Sequence, residues 1–320
     1  MQEGRDDIEI FCSSKPHTTS CGISPCAWGA PREITKFMSL AGLNPAKYVI
    51  NVVRTMDFEG IELPCEMYIF NKPAMIKDLL DDAIPSPEPI RHSLYTRIID
   101  ATGVARAYLP DIKNDRLGYT AQVRCASPMP KWDTKVYVRF MEMGYMWAFP
   151  MNDHLHLGCG GIRNGNGKQE YSARVLLQSA LHKQLGQPTS ICGCQARVRI
   201  TGPERAIPFS TQKSYRFGNV VGVGEAIGAV SPLSGEGNVP GLMTCEALLD
   251  NWDSPVGYYT RVTTQLAWME EERKLMDYAL AGGQISFNHI DLVLKNAERL
   301  GIHVSTDKAL EMFEKLSGGK

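Results

Sequence analysis

The segment Gly224-Glu225-Ala226-Ile227-Gly228, followed by Ser231-Pro232-Leu233-Ser234-Gly235-Glu236-Gly237, puts small residues wherever a backbone would have to approach a bound group. A helix is predicted from Val239-Pro240, because proline suits a first helical turn where its missing N–H would have no partner anyway. Gly235 and Gly237 fall just before that start, where free N–H groups and the helix dipole favour an anionic ligand. Glycines alone fit an ordinary α/β loop equally well. The joint spacing of acid, Gly, Pro and Gly-Glu-Gly is what points to a ligand.

Three other groups of residues could do chemistry. Tyr145, Trp147 and Phe149 alternate in Gly144-Tyr145-Met146-Trp147-Ala148-Phe149-Pro150, so on a strand they share one face. That face is either an apolar wall for a ligand or an aromatic core strand. Cys26, in Ser24-Pro25-Cys26-Ala27-Trp28-Gly29, is either a structural thiol or a proton source. His154 and His156 also share a strand face, but no Cys or carboxylate accompanies them at ligand spacing. They are read as solvent-facing, and no metal is expected. Cys192-Gly193-Cys194 lacks the two-residue gap of a redox or zinc motif and reads as a turn.

The elements that must hold these residues follow from periodicity. Strands are predicted at Ile8–Phe11, Val49–Val53, Met67–Phe70, Arg97–Asp100, Val136–Met141, Leu155–Cys159 and Ala196–Ile200. The two central ones, Val136–Met141 and Leu155–Cys159, are expected to pair in an antiparallel sheet, with a turn beyond at Asn164–Gly167. Helices are predicted at Glu33–Ala41, Ala74–Asp82 and Tyr171–Leu185. Tyr259, Val262, Leu266, Met269, Met276 and Leu280 read as one further helix that Gly282-Gly283 ends. Ser305 or Thr306 caps a last helix whose apolar face holds Leu310, Phe313 and Leu316. Strand–Gly turn–helix units flank an antiparallel block, which predicts an α/β nucleotide-type domain interrupted by a β-rich one.

Composition excludes more than it identifies. The 320 residues are 43% hydrophobic and 22% charged with a net charge of −1, which offers no basic field for nucleic acid. Nine dispersed cysteines and a polar, acidic Met1–Glu9 predict a reducing cytoplasm rather than export. The longest apolar stretch, Val220–Val230, is cut by Gly222, Gly224, Glu225 and Gly228.

Taken together, the motifs resemble the hydroxybenzoate-hydroxylase-like flavoproteins. The 224–237 segment is similar to their second FAD motif, Gly-Asp-Ala-x-Gly then Pro-x-x-Gly-x-Gly, with Glu225 in place of the Asp. The resemblance implies FAD as cofactor. It places Glu225 at the ribityl chain, Gly228 and Pro232 in the motif, and Gly235, Gly237 and Asn238 beside the ring. Ile99-Asp100-Ala101-Thr102-Gly103-Val104-Ala105-Arg106 looks like the strand that packs beneath the cofactor, through Asp100 and Gly103. The aromatic strand resembles the Tyr-x-Trp-x-Phe-Pro signature of the geranylgeranyl reductases, the digeranylgeranylglycerophospholipid reductases among them. This implies that Tyr145, Trp147, Phe149 and Pro150 line an isoprenoid cavity. Cys26, Ala27 and Gly29 match the family's Cys-Ala/Gly-x-Gly loop near the reactive face of the flavin, and Cys26 would act there as catalytic proton donor. Lys72 stands where many members have the Arg of Asp-Arg, a cofactor contact. Flavin halogenases carry a second Trp and an Ile that this strand lacks.

The implied fold is an FAD-binding Rossmann-like domain interleaved with an antiparallel substrate domain, with C-terminal helices. Residues 1–55, 95–117 and 208–253 would form the FAD-type part, 56–94 and 118–207 the substrate part, and 254–320 the helical region. The implied activity is FAD-dependent reduction of isoprenoid CH–CH double bonds of a prenylated lipid. The partners would be that lipid and a low-potential electron donor (ferredoxin-like or reduced nicotinamide), in the cytoplasm with room for peripheral membrane contact. A flavin monooxygenase or halogenase of the same fold is one alternative, and a non-catalytic lipid-binding remnant is another. The resemblance covers about Ile8 to Glu272 and departs in three ways. The opening Gly-x-Gly-x-x-Gly unit is not matched, no ribose-binding acid follows Phe11, and the stretch between Leu80 and Arg97 is short. The expectation is therefore that these 320 residues bind FAD weakly or not at all.

Overall fold

The computed structural model describes residues 8–13, 26–81, 84–86, 94–126, 135–141, 144–162, 175, 178–179, 195–207 and 218–317. The turn at Asn164–Gly167, most of the helix expected over Tyr171–Leu185, and Cys192–Cys194 lie outside them.

Ile61, Leu63, Cys65, Met67 and Ile69 are buried at strict period two, which makes this segment a strand with one face in the core. It pairs back on Val49–Phe58 through Glu59-Gly60, whose φ values of 52° and 84° are what a tight two-residue hairpin demands. In chain order the strands are β1 (Phe11–Ser13), β2 (Gly29–Pro31), β3 (Val49–Phe58), β4 (Ile61–Phe70), β5 (Ile84–Ser86) and β6 (Ile98–Asp100). Then come β7 (Leu117–Ala126), β8 (Val136–Met141), β9 (Gly144–Pro150), β10 (His154–Ile162), β11 (Gln195–Arg199) and β12 (Val220–Gly222). Eight of them form one sheet in the order β11-β7-β10-β9-β8-β3-β4-β2, antiparallel except where β3 meets β8. β1 with β5, and β6 with β12, are parallel pairs.

The helices are α1 (Ile34–Leu40), α2 (Pro45–Tyr48), α3 (Lys72–Leu79), α4 (Pro203–Ala206) and α5 (Asn238–Asp250). The C-terminal ones are α6 (Pro255–Gln265), α7 (Ala267–Leu280), α8 (Ile290–Arg299) and α9 (Thr306–Ser317). One core gathers β6, β12, Leu248 of α5, Tyr258 and Val262 of α6 and Met269 of α7. A second lies on one face of the large sheet, with Ala121, Val123, Met146, Ala148, Leu155, Leu157 and Cys159. Each large apolar side chain buried in these cores contributes about 1.5–3 kcal/mol.

Three expectations need correction. The strands 136–141 and 154–162 are not neighbours, because β9 stands between them and pairs with both. The helix expected across Tyr259–Leu280 breaks at Leu266, whose φ and ψ are −107° and 16°. Val262, Leu266 and Met269 still share one core, so apolar spacing survives a break that one residue's dihedrals create. Among the described side chains of α9 the buried ones are Ala309 and Met312, while Leu310 is exposed. Contact of Met312 with the Ala297–Ile302 cluster turns that face away from Leu310.

Gly228 has φ of +72°, and a Cβ on it would lie 2.8 Å from the Gly202 carbonyl oxygen. Gly42 has nearly the same backbone, φ +77°, with nothing within 4 Å. Gly42→Ala should therefore cost only the left-handed backbone penalty, about 1–2 kcal/mol. Gly228→Ala should cost that and at least about 1 kcal/mol more for overpacking. Urea unfolding of both variants measures the difference, and equal losses would refute the crowding argument.

Candidate functional site

The register of the sheet sets three residues in a row: Gln122 on β7, Gly158 on β10 and Trp147 on β9. The indole lies over Gly158, where any Cβ would collide with it, and Gly160 gives it further room. Trp147 Nε1 donates to Gln122 Oε1 at 3.1 Å, and Gln122 Nε2 donates to the Cys26 carbonyl at 3.0 Å. Tyr145, 5.7 Å from Trp147 between ring centroids, donates its hydroxyl to the Ser234 carbonyl. The Phe149 ring fills the space over Gly29. The aromatic face thus touches both the 26–29 loop and the glycine-rich loop. Pro150, one position on, stands on the opposite face of β9.

The 26–29 loop enters β2 through Trp28, a non-glycine residue at φ +61°. Such a conformation persists where surroundings over-determine it. Here the Trp28 ring meets His156 edge-on at 4.5 Å, and its carbonyl accepts from Phe70 N–H at 3.0 Å. The histidines are not solvent-facing as their alternation suggested. His156 is fully buried and His154 is 9% exposed. They face each other with Nε2 atoms 3.2 Å apart, and Asp153 holds the outer Nδ1 of His154. The outward-facing reading failed because this face of β10 is covered by the 26–29 loop, a long-range contact that period two does not reveal. Burial, and then the neighbouring His154, push His156 down to about 3.

The glycine-rich segment and the Asp100 turn interlock. Asp100 is fully buried and accepts from Thr102 N at 3.0 Å, Thr102 Oγ1 at 2.6 Å and Tyr108 N at 2.9 Å, so it closes its own turn. Arg106 donates to the Pro110 carbonyl at 2.7 Å and to the Ala226 carbonyl. Burial lowers its guanidinium to about 10. Glu225 Oε1 accepts the Arg199 N–H at 2.7 Å, and its Oε2 lies 3.2 Å from where a Cβ on Gly103 would stand. Burial raises the Glu225 carboxyl, and the Arg199 N–H opposes that rise.

From Ser231 the chain makes a closed loop, with Ser231 N bonded to the Glu236 carbonyl at 2.8 Å and Gly235 N to the Ser231 carbonyl at 2.9 Å. Ser231 Oγ donates to Glu272 Oε2 at 2.6 Å, and Asn296 Nδ2 donates to Glu272 Oε1 at 2.8 Å. Glu272 is fully buried, and that burial raises its carboxyl. Gln122, Glu272 and Asn296 were missed in the sequence. One signal existed for Glu272, a carboxylate at core spacing between Met269 and Met276. None existed for the other two.

At the start of α5, Glu236 Oε1 accepts the Val239 N–H at 2.9 Å. The anion expected at this helix start is thus partly supplied by the chain itself. Burial raises the Glu236 carboxyl, opposed by the Val239 N–H and by Lys72. Lys72, in the first turn of α3, donates to Asn238 Oδ1 at 2.9 Å and to Cys26 Sγ at 3.5 Å. Cys26, Lys72, Asn238 and the 231–238 loop therefore meet at one place, bordered through Tyr145 and Gln122 by the aromatic strand.

The architecture is the FAD-binding fold of the hydroxylase and reductase class. Solved structures similar in shape include a geranylgeranyl bacteriochlorophyll reductase-like protein from Thermoplasma acidophilum, with a TM-score of 0.63 at 14% identity over 97% of this chain and 90% of that one. A tryptophan 6-halogenase from Streptomyces toxytricini gives 0.59 at 11% identity over 96% and 79%. The tetracycline destructase Tet(51) gives 0.51 at 12% identity over 92% and 86%. No protein-family model matches the sequence, and no curated protein matches it. Among the described residues no helix is long and apolar enough to cross a membrane, and no group of His, Cys, Asp and Glu could hold a metal ion.

The residues fit the ring-bearing half of a flavin. Gly235 is exposed with φ +70°, so its backbone is open to a flat group. Lys72 has three ammonium donors and two named acceptors, which leaves one for the electron-rich edge of a ring. Glu225 is committed to the backbone at Arg199.

Because the folded chain resists protonating His156, the unfolded chain takes up a proton below pH about 6.5 that the folded one refuses. Stability is full above that value and falls toward pH 3, by about 1.4 kcal/mol per pH unit from this group. Urea unfolding between pH 7 and 4.5 should show a steeper loss in the wild type than in His156→Gln. Parallel profiles would show that His156 does not contribute.

Proposed function

We propose that this chain is a flavin-dependent oxidoreductase that saturates isoprenoid carbon–carbon double bonds of a prenylated lipid. One observation carries the reading: Cys26 and Lys72 meet the glycine-rich loop at a place bordered by the Tyr145–Trp147–Phe149 face. The shape likeness to a reductase-like protein supports it. Gly235, Gly237, Asn238 and Lys72 would hold the ring, with Glu225 shaping the loop beneath it. Bound and reduced, the flavin supplies a hydride. The aromatic face offers an apolar border to the lipid chain and keeps water from the reacting carbons. Cys26 supplies the proton that an unactivated alkene needs. A low-potential donor, ferredoxin-like or reduced nicotinamide, would refill the hydride source, and the lipid would be met at a membrane surface.

The test is anaerobic single turnover with the full chain, FAD, dithionite and a geranylgeranyl lipid. A gain of two hydrogens per saturated double bond is expected, read by mass spectrometry. A flavin-loaded, reduced protein that leaves the lipid unchanged would overturn the reading. Cys26→Ser should keep flavin and slow the reduction at least about tenfold, since a hydroxyl is a poorer acid than a thiol. An unchanged rate would remove the thiol from the reaction. Trp147, 6% exposed and bonded to Gln122, is held by packing, so Trp147→Ala should cost about 3–5 kcal/mol of stability. Urea unfolding measures that loss, and a loss below about 1 kcal/mol would show that the ring is not part of the packed core.

A further inference from the structure

We propose that Lys72 is the catalytic partner of Cys26, its ammonium placed to hold the thiolate that remains when Cys26 gives up its proton. The inference rests on the reading above for the destination of the proton, but the pairing itself stands on the geometry.

Lys72 Nζ lies 3.5 Å from Cys26 Sγ, within hydrogen-bonding reach of a sulfur acceptor. Its other acceptor, Asn238 Oδ1 at 2.9 Å, is neutral, so it orients the ammonium without cancelling its charge. Asn238 is in turn held by its Nδ2, which donates to the Gly29 carbonyl and to Glu236 Oε2, both at 3.4 Å. Among the described residues Lys72 has no carboxylate within ion-pair distance, and Glu236 and Glu225 act on it only through space. The influence that most favours its charged form is the sulfur of Cys26. Asn71, which caps α3 by accepting from Ala74 N at 3.2 Å, fixes the turn that aims the side chain. A lysine serving only to tie α3 to α5 would need Asn238 alone.

The step balances as follows. A reduced flavin, when bound, would supply a hydride to one alkene carbon and lose two electrons. The Sγ–H bond of Cys26 breaks, its proton forms the new C–H bond on the adjacent carbon, and the electron pair stays on sulfur. The Lys72 ammonium faces that new negative charge in a half-buried site, where a charge-assisted contact is worth more than in water. A solvent proton later restores the thiol.

Labelling tests this without flavin or substrate, so its outcome is independent of whether the lipid is reduced. The rate at which iodoacetamide alkylates Cys26 at pH 7 is followed by peptide-resolved mass spectrometry, since the chain has nine cysteines. Lys72→Met should lower that rate about tenfold or more, because thiolate is the reacting form, while Lys72→Arg, which keeps the charge, stays within about threefold of the wild type. In Cys26→Ser, Lys72 loses the sulfur that favours its charged form, so acetic anhydride should acylate it several-fold faster at pH 9. This second arm decides the matter if Lys72→Met loses its folded circular-dichroism spectrum. Cys26 alkylation equal in Lys72→Met and wild type, or Lys72 acylation unchanged in Cys26→Ser, would overturn the pairing.

Discussion

The Trp147 indole occupies room that Gly158 leaves by having no side chain, and the site is arranged around that fact. Any larger residue at 158 would lift the ring from the sheet. With the ring down, its N–H reaches Gln122, and Gln122 reaches the Cys26 carbonyl. A side-chain amide has one acceptor oxygen and two donor hydrogens, so it can receive from the indole and give to the loop at once. A strand, a ring and an amide thus place a loop that has little regular structure of its own.

Buried polar groups set the other half of the arrangement. Asp100, Glu225 and Arg106 spend their hydrogen bonds mainly on backbone atoms of neighbouring turns. Buried charge without such partners would be costly. Their role in the described residues is to lock the β6 and β12 turns together, through the Arg106 bond to the Ala226 carbonyl and the Glu225 bond to the Arg199 N–H. Lys72 differs, because its partners are a neutral amide and a thiol, and its charge stays open to the site.

Much of this was legible in the sequence, and the rest was hidden for identifiable reasons. The glycine-rich loop, the helix after it and the aromatic strand depend on local spacing and could be read directly. The meeting of Lys72 with Cys26 joins residues 46 positions apart, and that of Lys72 with Asn238 joins residues 166 apart. No periodicity encodes such contacts, and only the family resemblance brought Lys72 forward. Burial of His156 was hidden for a related reason, since alternation tells which residues share a face but not what covers it. The break at Leu266 was hidden because apolar spacing records where side chains point, not the dihedrals between them.

The Ser231–Glu272–Asn296 network has a bearing on how the molecule opens. Glu272 is fully buried, and its two oxygens are taken by a loop residue and by a residue of α8. Peeling α8 away would strip Glu272 Oε1 of the Asn296 amide while Ser231 keeps its bond to Oε2, a penalty of about 1–3 kcal/mol for the carboxylate oxygen that loses its donor. Local fraying of that helix is therefore disfavoured unless the loop gives way too. Helix α8 and the glycine-rich turn then behave as a single cooperative unit in native-state opening, although more than fifty residues of sequence separate them.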